Sequence, residues 1–520
     1  MNAALWKKSH IIFALCLLGA TVLLHLRGAG FGFSLYDDQH QIVHNQTLEW
    51  SQAPGYFVHD VWRFAQPQYR NYYRPVFLLW LLVNWKLFAA AAAGVVFAVH
   101  PAHVESAVWL SGSTEPLVAF FFLASFLAYL RGCGEDVLSE SAGGSARAWW
   151  LLSGVLALPA LFAKETALAL PVLILLHAWL FVGRETAVDS AASRQSHGAK
   201  FYGAVKSAAP VLAATAIYLV MRVMVMQHLA VASNSLWRAM LTAPLDLVEC
   251  LRLSLWPYPL ALFYNLHLLK APTAGFVVAL VVVLAVAALA VWAARLERLL
   301  GLVAAWWLLP LLPVLAGLLS FPEGDLVHDR YVYLSTIAVA LLVGWAVAQL
   351  PESPQKVLGV AANRLIPLML LAAVGAVLTV QQTEVWRDGM TLFGHAAEVS
   401  PESVRARNLY SNQLLKAGAV VPALEIYAGT LRLDPDGWGT NFAYGVTLLS
   451  TGHLPEAEER LRHACEVDAT NTLGYVLLAE ALRAEGHPNE ARNALRYGLA
   501  HADGQRELLR AKLAELEAAP

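Results

Sequence analysis

The sequence predicts an all-α protein in two parts, a polytopic bundle of transmembrane helices followed by a helical solenoid. Three observations predict it. Hydrophobic residues make up 58% of the 520 positions against 14% charged, with a mean hydropathy of +0.52, too apolar for an ordinary water-soluble chain. Apolar runs long enough to cross a ~30 Å hydrocarbon core, roughly 20 helical residues each, recur through the first three quarters. The last quarter instead repeats itself every 34 residues.

Charge and cysteine usage narrow the function classes. The 36 Lys and Arg against 38 Asp and Glu leave a net charge of -2 and a pI near 6.8, without the basic excess that nucleic-acid binding needs. Cys16, Cys133, Cys250 and Cys465 are scattered with no CxxC pair, so neither a disulfide framework nor a zinc site is signalled.

Taken in order, spans are expected near 11–27, 208–227, 275–294, 299–320, 331–350 and 364–381, with shorter or joined runs near 116–130 and 149–183. The last of these carries Lys164 and Glu165 at its midpoint, in FAKETALALP, and reads as two helices joined by a polar turn. About nine crossings result. Lys7 and Lys8 precede the first helix, which has no small-residue cleavage site after it, so it is expected to stay as an anchor with a cytoplasmic N-terminus. The loops 131–148, 184–206, 295–298 and 351–364 then fall inside and hold Arg131, Arg147, Arg184, Arg194, Lys200, Lys206, Arg295, Arg298, Lys356 and Arg364, in agreement with the positive-inside bias. The opposite side receives the loop after residue 28, the Lys164-Glu165 turn, the stretch 228–274, the loop 321–330 and everything after 381. The apolar stretch 75–99 is interrupted by Asn84 and Lys86 and reads as re-entrant or interfacial, since a Lys near midplane is expensive unless it snorkels.

Residues 1–383 form the membrane part and 384–520 the solenoid. Aligning 402–435, 436–469 and 470–503 brings Ser411, Gly445 and Ala479 into register, then Leu414, Leu448 and Leu482, then Gly418, Gly452 and Gly486. Ala423, Ala457 and Ala491 continue the pattern, as do Tyr427, Leu461 and Leu495. The period and the pattern are those of tetratricopeptide repeats. Small residues let paired helices approach, glycines end the first helix of each pair, and large residues fill the groove between units. A half-unit at 384–401 precedes the repeats and a charged helix at 505–518 closes them. Such arrays bind extended peptides or partner proteins; a spacer or dimerisation surface is the plainer alternative.

Polar clusters at the outer face carry the candidate chemistry. Asp37 and Asp38, in LYDDQHQIVHN, are adjacent carboxylates that can hold each other's pKa apart and so supply a base for a hydroxyl, or a ligand pair for a divalent cation. A solvated loop pair is the bland reading. In VHPAHVESAVWLSGSTEP, His100, His103 and Glu105 lie close together; the proline breaks helical spacing and no fourth ligand is evident, so a metal site is not assigned. Lys164 and Glu165 are either a local ion pair at a helix end or functional charges near the membrane. Arg330, in PEGDLVHDRYVYLS, is placed to clamp an anionic phosphate by its planar fork or to anchor a helix at the headgroups.

The order LYDD, YYRP at 72–75, FAVHPAHVESAVWLSG at 97–112, FAKETALALP at 162–171, SLWPYPLALFY at 254–264 and DRYVYLS at 329–335, followed by the repeats, resembles the transmembrane-and-tetratricopeptide protein O-mannosyltransferases and their bacterial relatives over nearly the whole chain. The resemblance implies a glycosyltransferase of the GT-C type, which takes a sugar, a mannose-like hexose, from a polyprenyl-phosphate carrier and delivers it to Ser or Thr of a protein on the extracytoplasmic face. It implies Asp37 and Asp38 as the base or base-orienting pair, and His100, His103, Glu105, Lys164, Glu165 and Arg330 around the carrier phosphate and acceptor. Two departures stand out: an Ala run at 89–93 replaces a further membrane hairpin, and Asp329 stands where the family has Glu. The alternative is a non-catalytic, membrane-anchored scaffold. The Ala- and Leu-rich composition suggests a bacterial inner membrane with the repeats in the periplasm.

Overall fold

Lipid removes the hydrophobic drive between helices, so the membrane part must associate through close packing of small residues. The computed structural model describes residues 56–58, 73–77, 100–134, 145–181, 197–226, 234–321, 326–351, 353–357, 360–502 and 506–518, and the chain divides into two compact units, Met1–Asp388 and Gly389–Pro520.

In the first unit a 3-10 turn at Pro101–His103 leads into α1 (Val104–Val108). There follow α2 (Thr114–Gly132), α3 (Ala146–Ala163), a 3-10 turn at Glu165–Leu168, α4 (Ala169–Phe181) and α5 (His197–Met226). Next come α6 (Leu236–Leu255), α7 (Ala274–Leu296), α8 (Arg298–Leu308) and α9 (Leu312–Gly317). A 3-10 turn at Asp329–Val332, α10 (Thr336–Gln349), a two-stranded hairpin (β1 Lys356–Val357, β2 Val360–Ala361) and α11 (Ala362–Val385) complete it. Among the described residues five helical segments are long and apolar enough to cross a membrane: Thr114–Gly132, Ala146–Ala163, Phe201–Met226, Ala274–Leu296 and Arg298–Gly317. The chain is a multi-pass membrane protein.

The core lies between α2, α3, α4 and α5, where Ala157, Ala160, Leu161, Ala208 and Phe122 are fully buried. Gly154 shows why α3 and α5 come so close: a Cβ there would stand 2.7 Å from the Cβ and carbonyl oxygen of Pro210. Between α2 and α3 the Ser125 hydroxyl donates to the Ser153 carbonyl at 2.7 Å, satisfying a polar group where no water is available. By contrast α7 has a mean hydropathy of 3.0 with 6% of its span buried, the profile of a helix that faces lipid nearly all round. Side-chain caps open several helices, with Ser145, Ser235 and Thr273 accepting from the amides of Ala148, Arg238 and Phe276.

The joined run 149–183 is two helices as expected, because Lys164 adopts an extended backbone (φ -161°, ψ 145°) that ends α3. One expectation needs correction. The segment 331–350 is not one continuous span: its first residues belong to the 3-10 turn at Asp329–Val332, and α10 has 14 residues, about 21 Å at 1.5 Å per residue. The stretch 228–274, to which no element is assigned from sequence, holds the 20-residue α6, whose buried and exposed residues alternate at helical spacing without a long apolar run. The first expected span, 11–27, and most of 75–99 lie outside the described residues.

The second unit runs from α12 (Gly389–Val399) through α13 (Val404–Lys416), α14 (Val420–Leu431), α15 (Trp438–Ser450), α16 (Leu454–Val467), α17 (Thr472–Ala484) and α18 (Pro488–His501) to α19 (Arg506–Ala518). It is a tetratricopeptide array. Gly418, Gly452 and Gly486 all have left-handed φ, 79°, 81° and 88°, each closing the first helix of its pair. The amides of Ala419, His453 and His487 then donate to Leu414, Leu448 and Leu482 carbonyls at 2.8–2.9 Å, the bond that satisfies an orphan helix-end carbonyl. Ala423, Ala457, Ala491, Tyr427, Leu461 and Leu495 are fully buried, and a Cβ on Gly445 would meet Leu461 Cγ at 2.7 Å, so the registered small positions are where helices touch.

Candidate active site

Antiparallel packing of α2 on α3 brings the first turn of α2 beside the last residue of α3, and the polar motifs of the first unit converge at that end. Lys164 caps α3 and forms an ion pair with Glu115 of α2. Their side chains are 6% and 2% exposed. Glu165, the next residue, turns the other way and takes both Nε and Nη2 of Arg74 at 3.0 Å, a bidentate fork. The reading of Lys164 and Glu165 as a local pair is therefore corrected: the extended backbone at Lys164 sends the two side chains to different partners.

Glu105 of α1, 1% exposed, accepts from the Arg330 backbone amide at 2.9 Å and from its guanidinium. One carboxylate thus fixes both the main chain and the head of Arg330, whose guanidinium lies 4.9 Å over the Trp109 ring and 5.3 Å over Tyr331. Trp109 is itself stacked on Trp386, centroids 6.0 Å apart. The Lys164 ammonium sits 5.4 Å from the Tyr331 ring, and Arg74 and Arg330 both bear electrostatically on it. Three cations from positions 74, 164 and 330 are thus gathered at one end of the bundle, each with its own carboxylate.

Asp329, beside Arg330, accepts from the Tyr264 hydroxyl. That hydroxyl receives the Ala261 amide at 3.1 Å, so its own proton is free for Asp329. Burial pushes the Asp329 carboxyl well above the usual range, and the neighbouring Glu105 charge pushes it further. The histidines serve the frame. His100 Nε2 lies 3.2 Å from the Ser254 carbonyl, which only accepts, so Nε2 carries the hydrogen and Nδ1 offers a buried lone pair. Burial lowers its pKa to about 4, so the ring is neutral near pH 7. The Thr336 hydroxyl gives its proton to the Tyr333 carbonyl at 2.7 Å, so His103 Nε2 donates to Thr336 at 2.9 Å. Among the described residues no three His, Cys, Asp or Glu side chains are grouped to hold a metal ion.

Of the residues singled out from sequence, His100, His103, Glu105, Lys164, Glu165 and Arg330 fall in this one region, while Asp37 and Asp38 lie outside the described residues. Arg74, Glu115 and Tyr264 were not singled out. Each sits inside a quoted motif, YYRP, STEP and LFY, but the partners are 91, 49 and 65 positions away in sequence, and no local spacing reports such a pairing. Chemically, a buried ammonium and two guanidiniums, each 16% exposed, make a place for an anion at the end of a lipid-embedded bundle.

No family model matches the chain. It is similar to the protein O-mannosyl-transferase Tmtc3 of Drosophila melanogaster, 25% identical over 413 residues, 71% of this chain and 43% of the relative. It is also similar to protein O-mannosyl-transferase TMTC4 of Homo sapiens, 24% identical over 204 residues, 29% of this chain and 27% of the relative. Its homologues are protein O-mannosyl-transferases of this type, and the chain spans less than half the length of these curated relatives. Among solved structures, a thermophilic tetratricopeptide protein of Thermus thermophilus covers 29% of this chain and 80% of its own at 24% identity and a TM-score of 0.22, a likeness too slight to bear on the fold.

Proposed function

We propose that this chain is an integral-membrane glycosyltransferase that moves a mannose-like hexose from a polyprenyl-phosphate carrier to a Ser or Thr hydroxyl of a protein. The observation that carries the reading is the gathering of Arg74, Lys164 and Arg330, three like charges, at the end of an apolar bundle. Each has a carboxylate partner, so what supports an anion site is the concentration of cationic N–H donors at one end of the bundle, with the two guanidiniums 16% exposed. An amphiphilic donor holds its phosphate at headgroup level and its tail in lipid, which matches basic groups at helix ends. The names of the relatives support transfer to protein.

In this reading the acceptor oxygen attacks the anomeric carbon as the bond from that carbon to the phosphate oxygen breaks. The electron pair stays on the polyprenyl phosphate, neutralised by Lys164 and Arg330, and the hydroxyl proton passes to Asp37 or Asp38. Attack opposite the leaving group inverts the anomeric centre. Glu165 holds Arg74 in place, Glu105 holds Arg330, and His100 and His103 tie the Pro101 turn to the groups behind it. The repeats present the acceptor chain on the same extracytoplasmic side, periplasmic in a bacterial inner membrane.

The test is transfer from labelled polyprenyl-phosphate mannose to endogenous protein by the full chain in nanodiscs. Asp37→Asn with Asp38→Asn is expected to abolish transfer while leaving expression and fold intact. Unchanged transfer removes the catalytic role of the acidic pair. A wild-type chain that transfers nothing, yet retains partner proteins through its repeats, favours a membrane-anchored scaffold instead.

A further inference from the structure

We infer that Glu115 is a positioning residue of the anion site, the carboxylate that holds the Lys164 ammonium charged and directed at the bound phosphate. The inference rests on the transferase reading above. Lys164 and Glu115 are almost wholly sealed from solvent. An ammonium carries three N–H donors; one goes to Glu115, and among the described residues no second acceptor meets the others. Those remaining donors are what an anionic oxygen would take.

The charge state of that lysine is not assured by its surroundings. Burial disfavours the ammonium, and so do like charges nearby. The groups that face it are Arg74 before the short helical turn at 75–77, Arg330 and Tyr331 from the 3-10 turn at Asp329–Val332, and Glu115 from α2. The segment that packs on the Lys164 turn from α9, Leu312–Gly317, carries no titratable side chain. Glu165 and Glu105 are engaged with Arg74 and Arg330. Among the described residues Glu115 is therefore the one carboxylate bonded to Lys164, and with it removed the buried group sits between two guanidiniums and sheds its proton. A neutral amine does not hold a phosphate as a counter-charge. Glu115 acts through Lys164 and does not itself touch the donor.

The experiment is equilibrium binding of a fluorescent polyprenyl monophosphate, without sugar, to the full chain in nanodiscs from pH 5 to 9, alongside the transfer assay. Glu115→Gln is expected to weaken binding about tenfold or more at pH 8, with the deficit closing as the pH falls and Lys164 regains its proton. Lys164→Arg placed in the Glu115→Gln background is expected to restore binding independent of pH, because a guanidinium stays charged without a partner. Glu115→Gln that binds as wild type throughout, or a loss equal at every pH, overturns the inference. A wild-type chain with no affinity for the lipid overturns the transferase reading as well, so the two failures are told apart.

Discussion

Glu105→Gln isolates the most tightly built contact of the site. The carboxylate receives the Arg330 amide at 2.9 Å and the guanidinium of the same residue, and is 1% exposed. Glutamine keeps one acceptor oxygen but turns an NH2 toward whichever donor the oxygen does not serve. One hydrogen bond to a charged group is lost, worth about 1.5–3 kcal/mol, and a donor is left facing a donor. Severing a fully buried pair costs about 3–5 kcal/mol, but Arg330 is 16% exposed and water recovers part of this, which leaves about 2 kcal/mol. Carried onto the proposed contact of Arg330 with the donor, that is roughly a 30-fold weaker saturation. Two readouts on the full chain in nanodiscs check it. The fluorescence of Trp109, which lies under the guanidinium, should change, and the donor concentration giving half-maximal transfer should rise about 30-fold, with Glu105→Asp falling between. Wild-type saturation and unaltered fluorescence in Glu105→Gln would refute the view that Glu105 sets the position of Arg330.

Further expectations follow from single residues. Gly452→Ala forces a Cβ onto a φ of 81°, a cost of roughly 1–2 kcal/mol, so amide exchange across 438–467 should quicken about 5- to 30-fold, whereas Gly439→Ala, with nothing near its Cβ, should leave it unchanged or slower. Asp246 on α6 is fully buried, accepts from Cys250 Sγ at 3.4 Å, and has its second oxygen unpartnered among the described residues; burial raises its pKa to about 7. A carboxyl raised on folding keeps its full stability below the ordinary ~3.9 and loses it as pH climbs through about 7, so Asp246→Asn should melt with wild type near pH 4 and later than wild type at pH 8, by on the order of 4 kcal/mol. A variant that tracks wild type at both pH values would show the carboxyl is not held neutral. In the proposed reaction side-chain cations take the place of a metal at the carrier phosphate, so transfer should persist in EDTA; its loss would assign Asp37 and Asp38 to a divalent cation.

The repeats were legible to the residue because their physics is local: a left-handed glycine and a small contact position recur at fixed spacing, and Gly418, Gly452 and Gly486 have the conformation that spacing demanded. The broken span at Lys164 was legible for a similar reason, as two adjacent charges cannot sit in a lipid-embedded helix. Motif order brought the polar residues of the site to attention, but not who holds whom. Glu115 reads in sequence as an ordinary acid in a helix's first turn, and only the antiparallel fold of α2 on α3 delivers it to Lys164. The helix α6 escaped notice because Arg238, Asp246, Glu249 and Arg252 break its apolar run, and its burial comes from neighbours rather than from lipid.

The stack of Trp386 on Trp109 has a practical bearing on how this protein can be taken apart. The last turn before Gly389 is a pillar behind Arg330, since the indole at 386 backs the indole that the guanidinium rests on. A membrane fragment ended at residue 383, where hydropathy alone draws the line, removes that pillar together with the repeats. Such a truncation would report on the loss of an aromatic support as much as on the loss of the repeats, and only a cut made beyond Asp388 separates the two questions.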